Sequence, residues 1–200
     1  MVIRRTRKEQ IMIPLDRYPK EITLRNGERL ILRAMTPKLA GDLWDFYRRL
    51  PETDKAHFEE DVDSRESVER WARALDFDIA FPLLALHGGR VVGSVTLYRN
   101  RAGWKQRIGT VRILIDPEYR NRGIGTILIR EIRLIGEKTA LNYLVVEVIE
   151  EQQSAIQALE RMGFERKAVY RKFVNDRSGK LHDLVEMLYS QMGPEDEILY

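Results

Sequence analysis

Residues 113–130, ILIDPEYRNRGIGTILIR, constrain the fold of this chain more than any other stretch. Val111, Ile113 and Ile115 alternate with β-branched side chains, and Leu114 stands between the last two, so the run suits a strand buried on both faces. Pro117 has no N–H to give a ladder and ends that strand. Ile124, Ile127, Leu128, Ile132 and Leu134 then recur at helical spacing. A strand must therefore turn into a helix through Arg120-Asn121-Arg122-Gly123-Ile124-Gly125.

That turn has the chemistry of an anion site. Gly123 and Gly125 lack the Cβ atoms that would hold a ligand away from the backbone. The first N–H groups of the helix have no internal partner, and the positive end of its dipole lies with them. Arg120 and Arg122 add mobile guanidinium groups that can fork onto phosphate oxygens. A Walker loop would need Gly-x-x-x-x-Gly-Lys-Ser/Thr, and the dinucleotide fingerprint needs three glycines with an acid about 20 residues on. Neither pattern is present.

The remaining elements follow from periodicity and turn chemistry. Residues 22–33 predict a hairpin with Asn26-Gly27 as a type I′ turn. Thr36 and Pro37 mark the start of a helix with Leu39, Leu43, Phe46, Tyr47 and Leu50 on one face. A second helix is expected from near Asp63, with Glu66 completing an acidic capping box and Val68, Trp71, Ala72 and Leu75 as its stripe. Residues 81–86 and 91–98 predict a hairpin around Gly88-Gly89, and 105–115 continue the sheet. After the glycine loop come a strand at 143–149, a helix over about 152–162, Gly163 as its C-terminal residue, and a strand opened by Phe164. A last hairpin joins 168–174 to 181–189.

Composition narrows the function classes. With 200 residues, 44% hydrophobic and 32% charged, the chain suits one domain with one sizeable core. Zero cysteines exclude disulfides, Cys-ligated zinc and a cysteine acyl-enzyme, and His57, His87 and His182 have no metal-ligand spacing, so no metal is expected. Arg4, Arg5, Arg7 and Lys8 concentrate charge at the start, but no aromatic residues interleave with them, so a basic tail is expected rather than a nucleic-acid surface. No run is long enough to span a bilayer and no secretory signal is visible, which points to a cytoplasmic protein with no membrane partner.

The segment Arg120–Gly125 matches the Arg/Gln-x-x-Gly-x-Gly/Ala signature of the GNAT superfamily of N-acetyltransferases, and residues 22–189 resemble that family in element order. The resemblance implies an α/β (α+β) fold: a mixed, mainly antiparallel sheet flanked by helices, with parallel central strands that splay apart. It divides the chain into a basic extension at 1–21, an acetyltransferase domain at 22–190 and a loose tail at 191–200. It implies acetyl-CoA as co-substrate, held by Ile113, Leu114, Ile115, Arg120, Arg122, Gly123, Ile124, Gly125, Thr126 and Gln152. The pantetheine would pair with the free edge of 113–115. An amine acceptor is implied as the second partner, and pairing of two copies through the last strands is open.

Acetyl transfer to an amine of pKa about 10.4 needs a base. The resemblance places Glu147 at the position of the base in relatives of the ribosomal-protein type; as a residue alone, it also reads as a Glu on the polar face of a half-buried strand. At Arg107, Ile108, Gly109 and Thr110, where other members carry a carboxylate, this chain has none. The tyrosine acid of those relatives corresponds here to Leu159, leaving Tyr170 or Tyr119 as substitutes, each equally readable as a packed aromatic. The missing tyrosine also motivates an alternative, a weakly catalytic acyl-CoA-binding or sensing module. The acceptor is either a protein lysine or N-terminus, or a small-molecule amine; Trp44, Phe58, Trp71, Lys172, Asp176 and His182 are candidates to line its groove.

Overall fold

The computed structural model describes residues 13–55, 58 and 61–193. The basic segment 1–12, His57 and the tail from 194 lie outside the described residues. The strands β1 (Lys20–Thr23), β2 (Arg29–Ala34), β3 (Ala80–His87), β4 (Arg90–Arg99), β5 (Ile108–Ile115), β6 (Tyr143–Ile149), β7 (Glu165–Asn175) and β8 (Leu181–Ser190) form one sheet in the order β1-β2-β3-β4-β5-β6-β8-β7. Every neighbouring pair is antiparallel except β5 and β6. The helices are α1 (Ala40–Arg48), α2 (Glu52–Lys55), α3 (Arg65–Arg73), α4 (Ile124–Lys138) and α5 (Gln153–Arg161).

The sheet is apolar on both faces, and each face has its own cover. Met35, Leu43, Phe46, Val68 and Ala72 pack with Leu84, Leu86, Val91 and Leu114 on the α1/α3 side. Ile124, Leu128, Ile132, Ile135, Ile156 and Leu159 cover Leu83, Val95, Leu97, Leu144, Val146 and Val148 on the other. Gly93 lets α4 sit close to β4: a Cβ there would meet Ile115 Cδ1 at 3.1 Å and Ile124 Cγ2 at 3.2 Å. Ile13 and Tyr18, ahead of β1, pack against the α4 side, where Tyr18 and Lys20 both donate to the buried Glu131.

Several local expectations need correction. The first hairpin starts at Lys20, and its turn is not type I′, because Gly27 (φ 85°) is in the left-handed region and Asn26 is not. Instead Gly27 N–H donates to Leu24 O and Leu24 N–H to Glu28 O, a turn with one left-handed residue. The helix α3 is capped by Ser64, whose hydroxyl accepts from Ser67 N–H, while Glu66 pairs with Arg70 and does not reach back to the cap. The Gly88-Gly89 turn does have φ > 0 at both positions, as a two-residue hairpin between His87 and Arg90 requires. The end of α5 is a Schellman motif: Gly163 (φ 91°) donates to Glu160 O, and Phe164 N–H donates to Leu159 O.

That motif places Phe164 in the core at 2% exposure, against Tyr189. Phe164→Ala should cost about 3–5 kcal/mol. Urea unfolding with a loss under about 1 kcal/mol would contradict this packing.

Candidate functional site

The parallel pair opens after three residues. Ile108, Gly109 and Thr110 lie opposite Tyr143, Leu144 and Val145, and no register pair follows. Beyond that point β5 stays on β4 up to Ile115, and β6 stays on β8 up to Ile149, so the two strands diverge as a V. Arg107 O accepts from Asn142 and Tyr143 on the β6 side, whereas Asp116 N–H donates to Val92 O on the β4 side. Strand groups alternate, so Val111, Ile113 and Ile115 turn their N–H and C=O groups into the split. Glu147 does the same from β6, since Glu150 N–H points to β8.

The glycine loop lies at the open end of the V, after Ile115. Gly123 has φ 84° and is the N-cap of α4, whose first internal bond runs from Ile127 N–H to Gly123 O. Ile124, Gly125 and Thr126 thus present N–H groups at the helix start. A Cβ on Gly123 would meet no atom within 4 Å, so the space before these amides is open. Gly125 packs toward the sheet, where a Cβ would touch Ile113 Cδ1 at 3.7 Å.

The two arginines of this loop carry ion pairs to residues of other elements. Arg120 is ion-paired to Asp54 of α2 and also donates to Ile115 O at 3.3 Å. Arg122 pairs with Glu28 at 2.9 Å, donates to Glu118 O at 2.8 Å and lies over the Tyr119 ring. Asp54 also accepts from Gln152 Nε2 at 3.2 Å, so one carboxylate from α2 joins the loop after β5 to the start of α5. Burial pushes the Asp54 carboxyl up, and the Arg120 charge opposes that.

Below the loop lies Asp116, at 1% exposure. Its carboxylate accepts from Arg49 Nε at 2.8 Å, Arg90 Nη2 at 3.2 Å and Glu118 N–H at 3.1 Å, capping the single 3-10 turn of Pro117–Tyr119. Burial alone would raise Asp116, but the Arg49 hydrogen bond, the Glu118 amide and the two guanidinium charges outweigh it and hold it below the usual range.

On the α1/α3 face of the V stand Arg112 and Glu147, two residues beyond the last paired positions, Thr110 and Val145. Burial raises the Glu147 carboxyl, as does Glu186 directly across on β8; Arg112 and Lys105 act against this. The walls beside Arg112 are Tyr47, Phe58, Asp61, Val62, Ser67, Val68, Trp71 and Tyr98. Trp71 and Phe58 are therefore pocket residues as expected, whereas Trp44 donates to Asp63 O and lies between Arg48 and Arg65.

The other candidates are placed elsewhere. Tyr170 lies on β7, the sheet edge, two strands or about 10 Å from β6. It is 39% exposed and packs on Phe173. The Tyr119 hydroxyl is bonded to His87 Nδ1 at 3.1 Å, and Leu159 is on the buried face of α5. His182 is held between Asp176 and Glu151, and both hydrogen bonds raise its pKa. Lys172 sits in the irregular part of β7 and donates its N–H to Asp183. Among the described residues, no group of His, Asp or Glu could hold a metal ion, and no helix is long and apolar enough to cross a membrane.

Three residues that shape the site were missed. Asp116 had a signal, because Asp before Pro-Glu is a cap sequence. Arg112 also had one, a charge inside an otherwise apolar strand. Asp54 had none, since its role depends on where α2 lies.

A mixed sheet split at its one parallel pair, with a glycine loop and helix start over the opening, is the architecture of an acyl-CoA-dependent N-acetyltransferase. The family model "Acetyltransferase (GNAT) family" matches residues 40–164, and the chain belongs to that family. It is an acyltransferase, and the chemistry of its family is acetyl-CoA-dependent acetyl transfer. No curated protein matches the sequence significantly. Among solved structures, an acetyltransferase of the GNAT family from Streptococcus pneumoniae is 24% identical, covering 80% of this chain and 99% of its own at a TM-score of 0.68. The GNAT domain of PAT from S. lividans is 21% identical over 86% of this chain and 96% of its own, with a TM-score of 0.69. The yncA protein of Salmonella typhimurium, solved with its cofactor acetyl-CoA, is 14% identical over 82% and 95%, also at 0.69.

Removing the depressed carboxylate of Asp116 should destabilise the protein in a pH-dependent way. Asp116→Asn should lose about 2 kcal/mol at pH 7, less than for a fully buried pair, because Arg49 and Arg90 keep some water. The stability due to the charge is present above the unfolded carboxyl pKa of about 3.9 and is lost as pH falls through the lower folded value. Denaturation curves of wild type and variant should therefore converge at acid pH; a gap that persists there would contradict the ionised pairing.

Proposed function

We propose that this protein transfers the acetyl group of acetyl-CoA directly to a primary amine within a ternary complex, with Glu147 as the general base. The observation that carries this reading is the Glu147 carboxylate itself: it stands at the split, raised by burial and Glu186, and forms no hydrogen bond or ion pair among the described residues. The side chain is exposed, so the lack of a partner is no strain; what marks it is that its place between the diverging strands and opposite Glu186 still lifts its carboxyl.

The residues around the split divide the work. The amides of Ile124, Gly125 and Thr126, at the positive end of α4, suit a pyrophosphate, and Arg120 and Arg122 reinforce them by exchanging Asp54 and Glu28 for phosphate oxygens. The split-facing groups of Val111, Ile113 and Ile115 suit an extended amide-bearing chain laid as an added strand, with Leu114 packing behind them. An N–H near Ile115 is placed to polarise a thioester carbonyl. Gln152 at the start of α5 offers a side-chain amide on the opposite wall. Acetyl-CoA supplies the activated acetyl thioester.

Glu147 takes the amine proton, the amine nitrogen bonds to the acetyl carbon, and the carbon–sulfur bond breaks. A thiolate of reference pKa about 8.5 leaves tolerably near neutral pH. Tyr170, at the sheet edge, is not required for that step.

The test is calorimetric titration with acetyl-CoA followed by thiol release over a panel of amines and peptides. Binding with turnover supports the reading; binding without turnover on any amine favours an acyl-CoA-binding module, and no binding sinks both. Glu147→Gln should leave acetyl-CoA affinity unchanged and lower kcat about 10²-fold at neutral pH. Equal turnover across the pH range would remove Glu147 from the mechanism. Gly123→Ala clashes with no protein atom but forces a Cβ into a left-handed residue, at about 1–2 kcal/mol. It should weaken acetyl-CoA binding roughly 10-fold; wild-type affinity in the folded variant would contradict the phosphate placement.

A further inference from the structure

On the acceptor side of the split one guanidinium has no ion-paired carboxylate among the described residues. Most arginines near the site have acidic partners: Arg49 and Arg90 share Asp116, Arg120 takes Asp54, Arg122 takes Glu28, and Arg177 takes Glu52 and Asp63. Arg112 does not. Its guanidinium lies 4.6 Å from the Phe58 ring centroid and 5.1 Å from that of Tyr98, and its Nη1 donates to the Tyr98 hydroxyl at 2.9 Å. Among the described residues no carboxylate forms an ion pair with it. The aromatic contacts hold the planar fork in place, and a fork held in this way matches a carboxylate. Lys105, in the loop between β4 and β5, is also without an ion pair among the described residues, and its charge also reaches Glu147.

Arg112 and Glu147 share one face of the sheet on strands that have begun to separate, and they are not joined by an ion pair. Arg112 and Glu147 thus offer a cation and a carboxylate on neighbouring strands, neither in an ion pair, beside a pocket walled by Phe58, Val68 and Trp71 whose own carboxylate, Asp61, accepts from the Asp63 and Ser64 amides. A ligand that answers both has one anionic and one amine group close together on an apolar body. Resting on the acetyl-transfer reading above, we propose that the acceptor is a small amine that also bears a carboxylate, of the amino-acid class with an apolar side chain. Arg112 forks the carboxylate while the amine faces Glu147.

The transfer remains balanced: the amine nitrogen bonds to the acetyl carbon, its proton goes to Glu147, the carbon–sulfur bond breaks, and the thiolate is protonated by water.

The experiment compares kcat/KM for apolar amino acids, for their carboxamides and decarboxylated amines, for spermidine and for lysine peptides, with acetyl-CoA binding measured separately by calorimetry. The expected result is turnover of the amino acids at least roughly 10-fold above their carboxamides and decarboxylated amines. In Arg112→Gln the acceptor KM should rise roughly 10- to 100-fold, with the acetyl-CoA dissociation constant unchanged as evidence of an intact fold. Lys105→Gln, at a surface loop, should raise it a few-fold. Equal rates for the amino acids and their uncharged analogues, a preference for spermidine, turnover confined to peptides, or no turnover of any amino acid while acetyl-CoA binds would each overturn the acceptor class and leave the cofactor reading standing. Absence of acetyl-CoA binding would remove both.

Discussion

The short parallel pairing of β5 and β6 is the constraint on which the rest depends. Only three residues on each strand meet before the two diverge, although each strand stays hydrogen-bonded on its far side. Backbone amides that point into such a gap need water or a ligand, because no strand can fill it from within the chain. The fold tolerates this because both faces of the central strands around it are covered. On the α4 side Val111, Val146 and Val148 remain under helices, and Gly93 lets α4 come down close enough to seal that side. On the other side α1 and α3 stop short of the split, and Glu147 with Arg112 fill the uncovered strip.

The loop arginines show how the site holds its charge before an anion arrives. Arg120 and Arg122 rest on Asp54 and Glu28, which come from α2 and from the first hairpin. Each pair is partly exposed and so worth little on its own. Exchanging a carboxylate for a phosphate oxygen therefore costs little, while the amides at the α4 start contribute the geometry. Asp116 is different in kind. Buried and held by three donors, it fixes the 3-10 turn that aims the loop, and it has no exposed face from which an anion could displace it.

Much of this was legible in the sequence, and the parts that were not share a cause. The strand, proline, glycine loop and helix are local, so periodicity and turn chemistry located them, and the Schellman end of α5 was signalled by Gly163-Phe164. The type I′ assignment at Asn26-Gly27 failed because loop length, not the dipeptide alone, selects a turn, and here a third residue, Arg25, enters the loop between Leu24 and Glu28. The cap of α3 shifted one residue to Ser64, and the Asp63 carboxylate is instead paired with Lys55 and Arg177. The partners of Arg120, Arg122 and Gln152 come from residues 66, 94 and 98 positions away, and no local signal carries such distances.

The balance around Glu147 ties the base to its neighbours. A carboxylate that takes a proton from an amine must be basic, which burial and Glu186 provide, yet it must stay ionised at working pH, which Arg112 and Lys105 favour. In the acceptor arrangement proposed above, a carboxylate bound at Arg112 cancels much of the charge that lowers Glu147. Binding of the acceptor then strengthens the base at the moment its amine arrives, whereas a neutral amine leaves Arg112 unanswered and Glu147 weaker. The same guanidinium would thus select the substrate and tune the proton acceptor through one electrostatic contact across the split.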